Sequence, residues 1–174
     1  SARTFQATEL TLGALADTWE LSRPPKHDPA FRRLLQQRLR DLPYARALFV
    51  VGADGVLIQD TGQPPAPGFS LADRDYFRIH RENPGLRQAV SGPYLSRRAP
   101  GAGWFIAVTR ALGHGERFEG IAVAALEPAY FETLYGNIRL DDDEVISLFH
   151  RDGRLIARHP AAGEAVGRSF LDLP

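Results

Sequence analysis

The sequence lacks both cysteine and methionine, and Lys26 is the single lysine among its 21 basic residues. Without cysteine the chain can form no disulfide, carries no thiolate nucleophile and offers no cysteine ligand for zinc. Methionine is missing even at position 1, so we expect the chain to be an excised part of a longer protein. The use of arginine in place of lysine is more typical of a GC-rich genome than of a binding site.

The chain also lacks an excess of charge and a long apolar run. Its 21 basic and 21 acidic side chains give a formal net charge of zero, which argues against a nucleic-acid binder. No apolar run approaches the length of a membrane span and no signal peptide is visible, so we expect any membrane spans of a parent protein to have been cut away. At 174 residues, 44% of them hydrophobic, the chain is long enough for one ordinary domain with a core.

Motifs of catalysis and metal binding are missing as well. The chain has no Gly-x-Ser-x-Gly elbow and no Walker signature, and the acidic run at 141–144 lacks the alternating oxygen ligands of an EF-hand. The histidines show no metal-ligand spacing; they are His27, His80, His114, His150 and His159. The sequence therefore predicts no catalytic residues, no metal site and no cofactor.

The N-terminal part, residues 1–43, has the pattern of two helices. Residues 4–21 carry apolar side chains at helical spacing and are stopped by the prolines after Arg23. Asp28 followed by Pro29 is typical of an N-cap and a first helical position, so a second helix is predicted from Pro29.

The next segment has the pattern of a β-hairpin followed by a helix. Two apolar runs at 47–51 and 56–58 flank an Asp-Gly turn. After a proline-rich loop, Ser70 is predicted to cap a helix, with Asp73 as its partner in an imperfect capping box. Arg74 would then lie in the first turn, where a guanidinium beside free N–H groups suits a carboxylate.

Three strands and a short helix are predicted to follow. The strands are residues 92–96, 104–112 and 120–126, and the helix is residues 129–135. Helices, a hairpin, a helix and then three strands indicate an α+β fold with a central antiparallel sheet flanked by helices.

A repeat begins near the end of the chain. Residues 146–156 match residues 48–58 in their apolar positions and in the place of the Asp-Gly turn. Because the match follows a complete hairpin–helix–strand unit, we interpret it as the beginning of a second copy. The chain ends at Pro174, before this copy would be complete, so we expect the second copy to be truncated.

In these features the chain resembles the double Cache family, whose members are periplasmic sensor domains with PAS-like lobes. The resemblance lies in the hairpin at 49–58, the Leu-Ala-Asp-Arg-Asp-Tyr-Phe element at 71–77, the segments 92–97, 104–110 and 120–131, and the renewed hairpin at 146–156. It implies a long N-terminal helix, a membrane-distal ligand-binding lobe at 44–136 and the start of a second lobe at 137–174. It also implies the extracytoplasmic part of an inner-membrane receptor with a histidine kinase, diguanylate cyclase or chemoreceptor output.

The resemblance also suggests where a ligand binds. In family members that bind amino acids, an Arg-x-Trp-Tyr element holds the carboxylate, and this chain matches it at Arg74, with Tyr76 and Phe77 in the aromatic places. Tyr94 matches a second element, but Ser96 and Ala125 stand where aspartates would hold an ammonium group. An organic acid is therefore expected rather than an amino acid. The predicted ligand-binding residues are Arg74, Tyr76, Tyr94, Ser96, Arg97, Trp104 and Arg110.

Other interpretations of these residues remain open at this point. Arg74 is also suited to pair with a neighbouring aspartate, and both tyrosines are suited to the core. Trp104 and Arg110 share a strand face, which lies either toward the pocket or toward solvent and the N-terminal helix.

Three functions are compatible with the sequence. The first is a sensor that binds a small molecule and passes a conformational bias to a membrane-attached output, with a homodimer contact through the N-terminal helix. The second is a ligand-free PAS-like spacer for dimerisation or partner binding. The third, a small enzyme, would need a nucleophile–base or acid–base pair, for which the sequence offers no candidate.

Overall fold

The computed structural model describes residues 2–42, 44–62, 65–129, 146–150, 152–159 and 167–169. Its helices are α1 (Ala2–Ser22), α2 (Pro29–Arg40) and α3 (Asp75–Glu82). Its strands are β1 (Ala45–Gly52), β2 (Leu57–Asp60), β3 (Gln88–Leu95), β4 (Trp104–Leu112), β5 (Gly120–Leu126), β6 (Ile146–Phe149) and β7 (Leu155–His159).

Five strands form the main sheet, in the order β2-β1-β5-β4-β3. β1 and β2 pair antiparallel with Phe49 opposite Asp60, as the Asp-Gly turn predicts. β5 is the middle strand, and all seven of its residues are buried, which explains why they are small and apolar throughout. The predicted α+β fold with an antiparallel sheet and a long N-terminal helix is confirmed.

The apolar face of α1 joins the core beside α2. Leu12, Leu15 and Ala16 are each at most 2% exposed, and the Trp19 ring meets the Phe31 ring of α2 edge-on at 5.4 Å. An offset edge contact of this kind is a favoured aromatic geometry. None of the described helices has both the length and the apolar composition needed to cross a membrane.

The predicted start of α2 is confirmed by its capping geometry. The Asp28 carboxylate accepts a hydrogen bond from the Phe31 N–H at 2.8 Å, and Pro29 occupies the first helical position. Asp28 thereby satisfies one of the N–H groups that a helix leaves without an intrahelical partner.

The predicted start of α3 is wrong by four residues. Ser70 does not cap the helix: its hydroxyl accepts the Ala72 N–H at 3.2 Å within a turn, and its backbone forms an isolated bridge with Val56. The N-cap position is Arg74, with φ −73° and ψ 135°, and no side chain caps the helix there. Arg74 therefore stands at the entry of α3 rather than inside its first turn.

By their contacts, the residues form two compact units. The first comprises Ser1–Val90 and Val108–Ala125, and the second comprises Ser91–Ala107 and Leu126–Pro174. The division predicted from the sequence, at 43/44 and 136/137, stays a prediction. The predicted helix at 129–135 lies outside the described residues except for Ala129.

The second unit contains the predicted second hairpin. β6 and β7 pair antiparallel, with Ile146 opposite His159, and the Asp-Gly turn connects them. The Gly153 N–H donates to the His150 carbonyl at 2.9 Å, and the His150 N–H donates to the Arg154 carbonyl at 2.8 Å. The hairpin that the repeat predicts is thus present, with β7 reaching three residues beyond its predicted end.

Candidate ligand-binding site

The segment that leads into α3 is held against the first Asp-Gly turn. The Leu71 N–H donates to the Gly55 carbonyl at 2.8 Å. Gly55 has φ +81°, and a Cβ atom there would lie 2.4 Å from the Cβ of Ala72, so only glycine fits this close approach. The Asp-Gly turn therefore does more than join two strands, because it also fixes where Arg74 enters the helix.

The first two turns of α3 combine a half-buried cation with fully buried aromatics. Arg74 is half-buried, whereas Tyr76 and Phe77 are 1% and 0% exposed. The Phe77 ring meets the Phe118 ring edge-on, with 5.6 Å between the ring centres, and the central carbon of the Arg81 guanidinium lies 5.4 Å from the centre of the Phe77 ring. The aromatics thus hold one end of α3 in the core and leave Arg74 at the helix entry.

His80 fixes α3 to the sheet by two hydrogen bonds. Its Nδ1 lies 3.2 Å from the Leu86 carbonyl oxygen, so this nitrogen carries the hydrogen in the neutral ring. Its Nε2 lies 2.7 Å from the Thr109 hydroxyl of β4, which also lies 3.2 Å from the Ala89 carbonyl. The spacing of the histidines excluded His80 as a metal ligand and did not indicate this role, although the position of His80 on the apolar face of α3 was a usable signal.

The pKa of His80 is lowered, chiefly because burial disfavours the charged imidazolium. The hydrogen bond to the Leu86 carbonyl acts in the opposite direction, and the Arg87 charge lowers the pKa further. Between this lowered value and the ordinary value near 6.5, the unfolded chain binds more protons than the folded one. The contribution of neutral His80 to the free energy of unfolding is therefore fully present above about pH 6.5. It is lost as the pH falls toward the pKa of His80 in the folded state.

We accordingly expect the free energy of unfolding to fall between pH 7.5 and pH 5, and part of that fall to disappear in His80→Gln. Urea unfolding at a series of pH values measures this slope. Thr109→Val is the matched control, because it removes one hydrogen-bond partner and keeps the titrating ring. Equal pH slopes in the wild type and His80→Gln would show that His80 does not titrate differently on folding.

In the second unit, the end of β3 carries the next predicted residues. Gly92–Pro93 is a cis peptide, and Tyr94 is 6% exposed with its ring 5.9 Å from Phe105. The Ser96 hydroxyl accepts the Ala99 N–H at 3.0 Å and so stabilises the turn that begins the loop to β4. Arg97 is exposed in this loop.

Trp104 begins β4 within the same unit and packs on the backbone of Gly167. A Cβ atom on Gly167, which has φ +87°, would lie 2.7 Å from the Trp104 ring. Trp104 itself is half-buried. No motif in the sequence indicates this contact, because Gly167 lies outside every recognised motif.

Arg110 lies on the other face of the sheet from α3. Thr109 of β4 contacts His80 of α3, and successive strand residues point to opposite faces. Arg110 instead lines a groove of about 550 Å³ beside α1, together with Gln88. Of the two interpretations left open for Arg110, the structure favours the side of the N-terminal helix.

The structure thus distributes the seven predicted ligand-binding residues over its two units. The first unit holds Arg74 and Tyr76 at the start of α3, and Arg110 beside α1. The second unit holds Tyr94, Ser96, Arg97 and Trp104. Their role in ligand binding stays a prediction. Within the described residues, no group of three or more His, Asp or Glu side chains is arranged to hold a metal ion.

Comparison with known proteins identifies similar sensor domains. A family model described as a histidine kinase sensor domain, of double Cache type, matches residues 128–174. The extracellular domain of a predicted histidine kinase, rpHK1S-Z16, is 31% identical, with a TM-score of 0.83 over 98% of this chain and 68% of that one. No curated protein matches the sequence.

Two more distant structures share the fold. An extracellular ligand-binding receptor from Desulfohalobium retbaense is 16% identical, with a TM-score of 0.74 over 97% of this chain and 30% of that chain. The ligand-binding domain of the Pseudomonas aeruginosa chemoreceptor PctB, solved with L-glutamine, is 16% identical with a TM-score of 0.72 over 99% of this chain and 65% of that one.

These likenesses confirm the prediction of an extracytoplasmic sensor domain. The match to the histidine kinase domain is close enough in identity and coverage to establish kinship, and the family model agrees with it at the C-terminal end. The chain belongs to the double Cache family of extracytoplasmic sensor domains.

Proposed function

We propose that this domain binds a small carboxylate-bearing molecule and relays a conformational change to the cytoplasmic output of a bacterial transmembrane protein. Arg74 carries the proposal: it stands half-buried at the entry of α3, where a guanidinium can bind both oxygens of a carboxylate in one plane. The hydrogen bond between Leu71 and Gly55 of the first Asp-Gly turn keeps the segment before α3 in place, and the hydrogen bond between His80 and Thr109 keeps α3 itself in place. A preorganised arginine loses little conformational freedom when it binds an anion.

The finer preference for an organic acid over an amino acid rests on Ser96 and Ala125 alone. Ser96 caps its own turn and Ala125 is 3% exposed in β5, so neither offers a carboxylate to an ammonium group. The comparisons do not support that preference, because related chemoreceptor domains were solved with L-glutamine, L-leucine and GABA. We therefore propose a carboxylate as the shared chemistry and test both classes of ligand.

The output and assembly of the parent protein belong to the same proposal. The family model and the 31% identical neighbour favour a histidine kinase output. Leu10 and Leu21 of α1 are 71% and 89% exposed, and with Ala14 and Asp17 they follow a spacing of four, three and four residues. Because this spacing is that of a helix–helix seam, we propose that α1 provides the homodimer contact.

A thermal-shift screen of the purified domain against L-amino acids, GABA, small mono- and dicarboxylates and matched amines tests the function. A ligand at about 100 times its dissociation constant should stabilise the domain by about 2.7 kcal/mol, an easily resolved shift. We expect the compounds that raise the melting temperature to share a carboxylate. Decarboxylated analogues, such as propylamine beside GABA, are the matched controls. A folded domain that no compound stabilises would favour the spacer function, and stabilisation by the amines alone would contradict the carboxylate.

A further inference from the structure

The turn of the β6–β7 hairpin carries a compact cluster of charges. The Asp152 carboxylate accepts two hydrogen bonds from Arg154, from Nε at 2.9 Å and from Nη2 at 2.6 Å. The His150 Nδ1 lies 2.9 Å from the other side of the same carboxylate. Paired hydrogen bonds of this kind fix the plane of a guanidinium as well as its position.

Asp152 stays ionised over the ordinary pH range. Its partial burial would raise the pKa, but the hydrogen bonds from Arg154 and His150 outweigh this effect, and the pKa lies well below its usual range. The pKa of Arg154 is raised, first by its hydrogen bond to Asp152 and less by Tyr94. Both partners of the Asp152–Arg154 ion pair are therefore charged near neutral pH.

The guanidinium held in this way reaches the end of β3. Its Nη1 donates to the Pro93 carbonyl at 3.3 Å, and its central carbon lies 5.6 Å from the centre of the Tyr94 ring. A cation at this distance over an aromatic ring is attracted to the ring's negative face. Phe105 contacts the same tyrosine at 5.9 Å. The position of Tyr94 is thus determined partly by a side chain that lies 60 residues farther along the chain.

A second contact connects the β6–β7 hairpin to a predicted ligand-binding residue. Gly167 donates its N–H to the Leu155 carbonyl at 2.8 Å, next to Arg154, and its backbone lies against the Trp104 ring. Tyr94 and Trp104 are two of the four predicted ligand-binding residues of this unit. Arg154 of the β6–β7 hairpin and Gly167, which is hydrogen-bonded to it, therefore contact two aromatic side chains that were predicted to bind the ligand.

From this arrangement we infer that Arg154 is a positioning residue for ligand recognition: it holds Tyr94 from the turn of the second hairpin and couples the hairpin to ligand binding. The inference rests on the proposed function, since it assigns Arg154 a part in ligand recognition through Tyr94 of its own unit. A ligand that contacts Tyr94 changes the position of the ring that Arg154 contacts. The change is passed through Arg154 to the β6–β7 hairpin. By linkage, a change in the hairpin alters the affinity for the ligand.

Arg154→Gln tests this inference, because it removes the charge and the fork but keeps a polar side chain. Isothermal titration with L-glutamine, GABA and succinate should give a dissociation constant about tenfold higher than in the wild type for the compound that binds. Arg168→Gln is the matched control, since Arg168 is an exposed arginine of the same region and should leave the affinity unchanged.

Amide hydrogen exchange supplies a readout that a loss of stability alone would not mimic. In the wild type, the bound compound should slow exchange at Gly153 and Leu155, whose N–H groups are bonded within the hairpin region. In Arg154→Gln at a saturating concentration of the same compound, this added protection should be lost. Unchanged affinity with unchanged protection in Arg154→Gln would overturn the inference while the proposed function stands.

A ligand-free measurement separates the two proposals. If Arg154 holds Tyr94, the double variant Tyr94→Leu/Arg154→Gln should lose less melting temperature than the sum of the losses in the two single variants. Additive losses would overturn the contact between these residues and with it the inference. A wild-type domain that binds none of the three compounds would overturn the proposed function for these ligand classes and the recognition role of Arg154, even where the two substitutions are not additive.

Discussion

Replacement of Arg74 by alanine is expected to weaken binding of a carboxylate ligand by about 10- to 150-fold. Hydrogen bonds to a charged partner contribute about 1.5–3 kcal/mol each, and this range converts to that loss of affinity. The arginine is half-buried at the entry of α3, and its backbone N–H donates to the Leu71 carbonyl at 3.0 Å in the turn that precedes the helix. Isothermal titration with the compound found in the screen measures the change.

Two further variants test whether the shape of the Arg74 guanidinium matters beyond its charge, and whether another arginine of α3 has the same effect. Arg74→Lys keeps a cation but loses the planar fork, so its affinity should fall between those of the wild type and the alanine variant. Arg78→Ala removes an exposed arginine of the same helix, which pairs with Glu82 at 3.3 Å, and should bind as the wild type does. Equal affinities in Arg74→Ala and the wild type would contradict the assignment of Arg74.

Replacement of Gly120 by alanine is expected to lower the free energy of unfolding by about 4 kcal/mol, at the upper end of single-residue effects. Gly120 begins β5 with φ +130°, and an added Cβ atom would lie 2.1 Å from the Val51 carbonyl oxygen of β1. The atom in the way belongs to the backbone of the neighbouring strand in the middle of the sheet, so it cannot move aside as a flexible side chain would.

Urea unfolding of Gly120→Ala beside Gly13→Ala measures this effect. Gly13 lies within α1, and nothing lies within 4 Å of the position of an added Cβ atom. Alanine at this helical position should stabilise the domain by about 0.5–1 kcal/mol. A urea midpoint for Gly120→Ala equal to that of the wild type would show that the Val51 carbonyl oxygen of β1 does not approach Gly120 closely enough to exclude a Cβ atom.

Most of the first hairpin and the sheet was predictable because local patterns determine it. β4 and β5 begin and end where alternation and the continuous apolar run predict, and the Asp28–Pro29 signal places the start of α2 correctly. These elements depend on side chains that repeat along one segment, which a sequence shows directly.

The start of α3 was mispredicted because a contact distant in sequence overrides the local signal. Ser70 and Asp73 have the spacing of a capping box, but the Leu71 N–H bonds to the Gly55 carbonyl, and the chain forms a separate turn before the helix begins after Arg74. A tertiary hydrogen bond of this kind leaves no trace in the local pattern.

The sequence indicates candidate ligand-binding residues, whose role stays a prediction, but it does not indicate which side chains contact them. The resemblance singled out Arg74 and Tyr94, whereas nothing in the sequence linked Tyr94 to Arg154, which contacts it from the second hairpin. The role of His80 also depends on Thr109, a partner 29 residues away. Such pairs form only when the sheet and hairpin are assembled, so they emerge from the structure alone.

The most direct test of the central claim is a crystal structure of the domain with the compound that binds most tightly in the screen. We predict that its carboxylate lies against the Arg74 guanidinium, with two oxygen–nitrogen distances of about 2.7–2.9 Å. A ligand found elsewhere, for example in the groove beside α1 that Arg110 and Gln88 line, would contradict the claim and move the sensor site to another part of the fold.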